Sequence, residues 1–232
     1  MSSAPADIHT DQYSDASAPR GGWLEHAART GAFYDRLVEQ YGHDPRACDY
    51  GSQASQYRKF EALAEIAPLT GRRVLDVGCG FADFADVLRR RWGEVAYEGV
   101  DLSAAMVREA RRLHPELPIS VRDVLGEAAG LNTGGATLKS SYDFVFANGI
   151  FYLLQDEPIR RMQTMIARMF AMCRDGIGFT SLSSWAPTPA AGEFHADPVQ
   201  TIEFCRTLSR RVVLRHDYLP HDFAVYVFRE PE

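Results

Sequence analysis

The sequence is poor in features that would place it in several large classes. Only four of its 232 residues are cysteine, Cys48, Cys79, Cys173 and Cys205. They are far apart and form no CxxC pair, so neither a zinc site nor a disulfide framework is indicated. No bound metal is expected, and a reduced, cytoplasmic setting is the default. No apolar run approaches the roughly 20 residues that cross a bilayer, and residues 1–20 lack the apolar core of a signal peptide. Positive charge is also short: 25 Lys and Arg stand against 31 Asp and Glu, a net charge of −6. Binding to a nucleic-acid backbone leaves a basic footprint, so that partner class is disfavoured. The run Arg89-Arg90-Arg91 ends a predicted helix, where cations meet the negative end of the dipole.

What is present fits one sizeable domain with a proper core, since 46% of residues are hydrophobic and 24% charged. Residues 1–20 are rich in Ser, Ala, Asp and Pro, have no hydrophobic period and read as a disordered tail. Residues 21–70 read as a helical cap region. Trp23, Leu24, Phe33, Tyr34, Leu37, Val38 and Tyr41 recur at helical spacing, with Gly31 a place where two helices could divide. A further helix starts near Ser52 or Ser55 and runs to Pro68. From residue 71 to 232 strands alternate with helices. Strands are expected at 73–77, 95–101, 118–122, 142–147, 177–181, 212–218 and 223–228. Residues 125–141 form a connection with a short helix at most. This is an α/β fold, a doubly wound, mostly parallel seven-stranded sheet with an antiparallel end.

The chemistry centres on Asp76-Val77-Gly78-Cys79-Gly80, a strand followed at once by a glycine turn and a helix. Glycines let the backbone turn tightly and approach a ligand, and the helix start offers free N–H groups. Asp101 ends the next strand, roughly 20 residues on, where a carboxylate reaches ribose hydroxyls. A nicotinamide dehydrogenase shares these two features. It also needs a third glycine at position 83, which is Asp83, and Asp76 is equally unwelcome beside a pyrophosphate. The acidic turn suits a ligand with a cationic amine and sulfonium and no phosphate, which describes S-adenosylmethionine.

VLDVGCGFADF, YEGVDLSAAMV, VRDV and YDFVFANGIFYLL stand in the order seen in class I, Rossmann-like S-adenosylmethionine-dependent methyltransferases, and the chain resembles that family from about Phe60 to Phe228. The resemblance implies that Gly78 and Gly80, with Cys79 between them, line the methionine part of the cofactor and that Asp101 holds the ribose, with Leu102 and Met106 close by. It implies that Asp123 accepts from the adenine amino group beside Val124, and that Asn148 serves the methionyl group and the acceptor. Ala82 stands where the family's GxGxG turn has its third glycine. YGHDPRACDYGSQASQYRKFEAL and RVVLRHDYLPHDFAVYVF are similar to a bacterial methyltransferase group of unassigned substrate. By that similarity Tyr57 and Arg58 face the cofactor.

The acceptor side is less constrained. His195, His216 and His221 lie in or after the late loops, where a substrate pocket should form, and His195 is the first choice as general base. Tyr152, just after the fourth strand, is the choice for substrate contact. Trp23, Phe33, Tyr34, Tyr41 and Tyr50 either shield an apolar substrate or simply pack the N-terminal helices. The expected reaction is in-line methyl transfer to a small molecule, with oxygen preferred over nitrogen or carbon, by a monomer or homodimer with no nucleic-acid or membrane partner. A non-catalytic S-adenosylmethionine-binding module and a nicotinamide oxidoreductase stay open as alternatives.

Overall fold

The computed structural model describes residues 22–126 and 142–230. The expected tail and most of the 125–141 connection lie outside the described residues. Helix α1 (Trp23–Tyr41) is followed by a 3-10 turn at Pro45–Cys48 and by α2 (Gln53–Ala64). Then come β1 (Arg73–Val77), α3 (Asp83–Trp92), β2 (Ala96–Asp101), α4 (Ala104–Leu113), β3 (Ile119–Val121) and β4 (Tyr142–Ala147). Helix α5 (Pro158–Met172), β5 (Cys173–Leu182), α6 (Pro198–Leu208), β6 (Val212–Leu219) and β7 (Asp222–Phe228) complete the chain.

The strands form one sheet in the order β3-β2-β1-β4-β5-β7-β6. Only β7 runs against the rest, between β5 and β6, and every one of its residues from Asp222 to Val227 is buried. Strand β6 takes the open edge, where Arg215, His216 and Asp217 discourage pairing with another chain. The β1 chain alternates faces as a strand must. Leu75 and Val77 join Val100, Val145 and the Met162, Met165, Ile166 and Met169 ridge of α5 on one side. Val74 joins Phe144, Phe146, the Phe60 and Leu63 face of α2 and Phe84 of α3 on the other. Burying each such side chain contributes about 1.5–3 kcal/mol.

The registers decide where a site can form. Val77 pairs with Val100 on one side and Ala147 on the other, and Asp101 pairs with Val121. The carboxyl ends of β1, β2, β3 and β4 therefore lie on one edge. Strand order reverses at β1, which is where open α/β sheets bind ligands.

One local expectation changes. Gly31 does not divide the N-terminal stretch: α1 is continuous through it. A Cβ at Gly31 would come within 2.9 Å of the Leu102 carbonyl oxygen, so this glycine lets α1 press against the start of α4. Ala82 adopts the left-handed conformation, with φ 65° and ψ 22°. The position therefore has the backbone a third glycine would favour, and alanine bears the modest strain. Among the described residues no helix is long and apolar enough to cross a membrane.

Candidate functional site

The carboxyl edge opens into a cleft of about 1150 Å³, including its mouth. Asp76, Gly78, Cys79, Gly80, Asp101, Leu102, Met106, Asp123, Val124 and Asn148 all line it. The glycine turn has φ of 73° at Gly78 and 53° at Gly80. A Cβ at Gly78 would stand 2.4 Å from Cγ2 of Ile150, so only glycine passes beneath that side chain.

Asp101 braces this edge. Its Oδ2 accepts from the Gly80 amide at 2.9 Å and its Oδ1 from the Ser103 amide at 2.9 Å. A carboxylate has about four lone-pair sites, so acceptor capacity remains beyond these bonds. Burial raises the Asp101 pKa, against the backbone N–H bonds that lower it. Asp76 is 2% exposed and accepts from the Tyr97 hydroxyl at 2.7 Å. Burial pushes its carboxyl up to about 7, the Tyr97 bond working the other way. A cation bound beside Asp76 would favour the ionised form. Cys79 is buried, and burial raises its thiol pKa well above the usual range, so it is a packing group and not a nucleophile.

Asn148 is oriented from both sides. Its Nδ2 donates to the Tyr50 hydroxyl at 2.6 Å, and its Oδ1 accepts from Thr180 Oγ1 at 2.7 Å. Thr180 Oγ1 in turn accepts from the Gly149 amide at 3.0 Å. Strand β5 thereby fixes which end of the amide faces the cleft.

Tyr57 and Arg58 do not line this cleft. On a helix, residues four apart share a face, and Gln56 and Phe60 are the pair of α2 that turn inward. Arg58 is exposed, and the Tyr57 ring packs on Phe60 and under the Arg90 guanidinium. His195 is also elsewhere. It lines a separate cavity between α5 and α6, with Nδ1 3.2 Å from the Ser183 carbonyl and Nε2 3.3 Å from Glu193. The Pro-rich loop that carries it returns along the end of β5 into α6, turning Glu193 to the chamber described below and His195 to the α5–α6 cavity. His216 lies on β6, bonded to Ser183 Oγ at 2.8 Å and stacked between Trp185 and Phe223.

A chamber of about 700 Å³ adjoins the cleft and shares Cys48, Tyr50, Gly149 and Phe151 with it. Tyr152 lines this chamber, its hydroxyl 2.8 Å from that of Tyr34, and burial raises its pKa well above the usual phenol range. Lys59, Glu193, Ser181 and His221 also line it. Burial, reinforced by Lys59, lowers the His221 pKa and keeps its imidazole neutral near pH 7. The aromatic set divides: Trp23, Tyr34 and Tyr50 line the cleft, while Phe33 and Tyr41 pack α1.

Asp76 links the site to stability. Its folded pKa of about 7 lies above the ordinary 3.8. The folded chain therefore holds a proton that the unfolded chain has lost between these values, and stability falls as pH rises from 4 to 7. The upper limit of the loss is about 4 kcal/mol. Asp76→Asn should raise the melting temperature of the ligand-free protein at pH 8 and leave it nearly unchanged at pH 4. Equal shifts at both pH values in thermal scans would rule out this role for the buried carboxyl.

Residues 74–176 match the family model of a methyltransferase domain. A trans-aconitate 2-methyltransferase of Afipia carboxidovorans is 33% identical over 112 residues, which cover 44% of this chain and 40% of that protein. The chain thus aligns with less than half of that curated relative. Among solved structures, magnesium protoporphyrin IX methyltransferase of Synechocystis with bound S-adenosylhomocysteine has a TM-score of 0.52 at 13% identity, covering 92% of this chain and 90% of that one. A SAM-dependent methyltransferase of Archaeoglobus fulgidus has a TM-score of 0.56 at 14% identity, covering 85% of this chain and all of that one (100%). At such identities these two matches show the shared fold. With the sheet order and the acidic glycine turn, the matched residues 74–176 form a methyltransferase domain, set in a class I, Rossmann-like fold.

Proposed function

We propose that this protein transfers a methyl group from S-adenosylmethionine to a small-molecule acceptor, with oxygen favoured over nitrogen or carbon. The observation that carries the reading is the pair of connected spaces. An acidic cleft at the glycine turn suits the cofactor, and a polar chamber opens beside it across Tyr50 and Gly149. The lining fits the cofactor's chemistry. Asp76 answers a cationic amine, Asp101 offers open acceptor positions for ribose hydroxyls, and Asp123 offers one for the adenine amino group. Leu102, Met106 and Val124 supply apolar walls. Buried Gln56 takes the place expected of Arg58, its amide able to donate to the methionine carboxylate.

When bound, the cofactor supplies an electrophilic methyl group. The chain's own residues then have three tasks. Asn148, clamped by Thr180 and Tyr50, sets the polar wall between cleft and chamber. Phe151 and the Tyr34–Tyr152 pair exclude water. His221, with a neutral imidazole facing the chamber, receives the acceptor's proton, the role first expected of His195. Holding the acceptor in line with the carbon–sulfur bond supplies much of the rate gain.

Relatives named for trans-aconitate act on a tricarboxylate. The chamber here carries Asp49 and Glu193, and its Lys59 is committed to Asp222 at 2.7 Å. Repulsion, and the commitment of Lys59, the one Lys or Arg among the described residues lining the chamber, support a different acceptor, one that donates hydrogen bonds. Calorimetry should show micromolar S-adenosylhomocysteine binding and none for NADH. A homocysteine-release screen of phenols, alcohols, amines and carboxylic acids should find turnover outside the polycarboxylates. NADH binding without S-adenosylhomocysteine binding would overturn the proposal.

A further inference from the structure

Trp23, the first residue of α1, lies 100 positions before Asp123. Its indole N–H nevertheless donates to both oxygens of that carboxylate, at 3.0 Å to Oδ1 and 2.8 Å to Oδ2. Oδ1 also accepts from the Leu125 amide at 3.0 Å. Oδ1 is thus filled, and Oδ2 keeps one acceptor position. Without the indole, the Leu125 amide is the one remaining hydrogen-bond donor to the group among the described residues, and the last torsion of Asp is broad and nearly two-fold.

The helix that delivers the indole is anchored well away from it. Asp35 Oδ1 accepts from Ser103 Oγ at 2.6 Å and from the Ala105 amide at 2.9 Å, which pins α1 to the start of α4 beside Asp101. Gly31 makes the close approach to Leu102 described above. From Asp35 to Trp23 the helix spans about 18 Å at 1.5 Å per residue. It therefore runs along the cleft from the Asp101 end to the Asp123 end. Trp23, His26, Thr30 and Tyr34, at spacings of three and four, present one face to it.

We infer that Trp23 is a positioning residue for adenine recognition. Helix α1, which lies outside the matched methyltransferase segment, completes the cofactor site by holding Asp123 with one acceptor position open toward the exocyclic amino group. This rests on the reading of Asp123 as the partner of adenine. A carboxylate held in this way selects for a ligand that donates at that point.

The test compares S-adenosylhomocysteine with its analogue in which hydrogen replaces the adenine 6-amino group, by calorimetry on the full chain. The wild type should prefer the amino compound about tenfold or more, as for a hydrogen bond to a charged group. Trp23→Phe keeps the ring and removes the donor, and should cut that preference to about threefold or less. Asp123→Ala should abolish it. If Trp23→Phe keeps the full preference while Asp123→Ala loses it, Trp23 only packs and the inference is overturned, with the adenine site intact. If Asp123→Ala keeps the preference, the adenine reading fails and the inference falls with it. A measurement on the unmutated site guards against a poorly folded variant. The chain has three tryptophans, Trp23, Trp92 and Trp185. Their indole N–H signals can be assigned by elimination with Trp92→Phe and Trp185→Phe. Saturating S-adenosylhomocysteine should move the Trp23 signal, and the deamino analogue should move it less. A Trp23 signal that neither ligand moves would overturn the inference.

Discussion

Asp101→Ala should weaken S-adenosylhomocysteine binding by at least about a hundredfold, from the loss of two hydrogen bonds to a charged group at about 1.5 kcal/mol or more each. The change acts on two sides at once. It removes the acceptor proposed for the ribose, and it leaves the Gly80 and Ser103 amides without the Oδ2 and Oδ1 to which they now donate. Those amides set the glycine turn and the start of α4, so the turn proposed to receive the methionine part loosens as well. Asp101→Asn keeps one acceptor and should lie between, near a tenfold loss. Calorimetry decides, with melting temperature as the control. An Asp101→Ala protein that binds as tightly as wild type would show that the ribose sits elsewhere.

The second large effect is on stability. Lys59 Nζ lies 2.7 Å from Asp222 Oδ2, and the two side chains are 6% and 0% exposed. Tyr218 donates to the other oxygen of Asp222. Lys59→Met removes the counter-charge and leaves a carboxylate in the interior, which costs about 3–5 kcal/mol. For a chain of this size the melting temperature should fall by roughly 6–20 °C. The double variant Lys59→Met, Asp222→Asn carries no buried charge and should regain most of the loss. If the single variant melts within a degree or two of wild type, the pair is not the tie between α2 and β7 that its burial implies. If the double variant is no better than the single one, lost packing and not the orphaned charge is the cause.

Much of the fold could be read in the sequence because its signals are local. The turn after β1, the Ser52 and Ser103 caps and the apolar run of β4 each declare themselves within about ten residues. The cleft edge was legible for the same reason, since parallel register carries Gly78, Asp101, Asp123 and Asn148 to one line once the strands are known. The misses share a cause. Gln56 and Phe60 line the cleft while Tyr57 and Arg58 do not, because the phase of α2 depends on what it packs against. His195 and His221 both follow late strands. Which of them faces the chamber depends on β7 entering between β5 and β6 and on the Pro-rich loop folding to α6. Trp23 reads as one more apolar residue of an amphipathic helix, and no local pattern reveals a partner 100 positions away.

The single reversed strand has a further consequence. Because β7 runs opposite to its neighbours, its first residues lie at the edge where the parallel strands end. His221 thus reaches the chamber from a short hairpin, while the groups proposed for the cofactor come from the ends of β1 to β4 and from α1. In the proposed reading the two ligands draw on opposite halves of the sheet, and the cleft and chamber share Cys48, Tyr50, Gly149 and Phe151. In such an arrangement, diversification of the acceptor can proceed by exchange of the hairpin and of the loop carrying Glu193, with the cofactor half inherited unchanged. A hairpin transplanted between two members of the family would carry substrate choice with it.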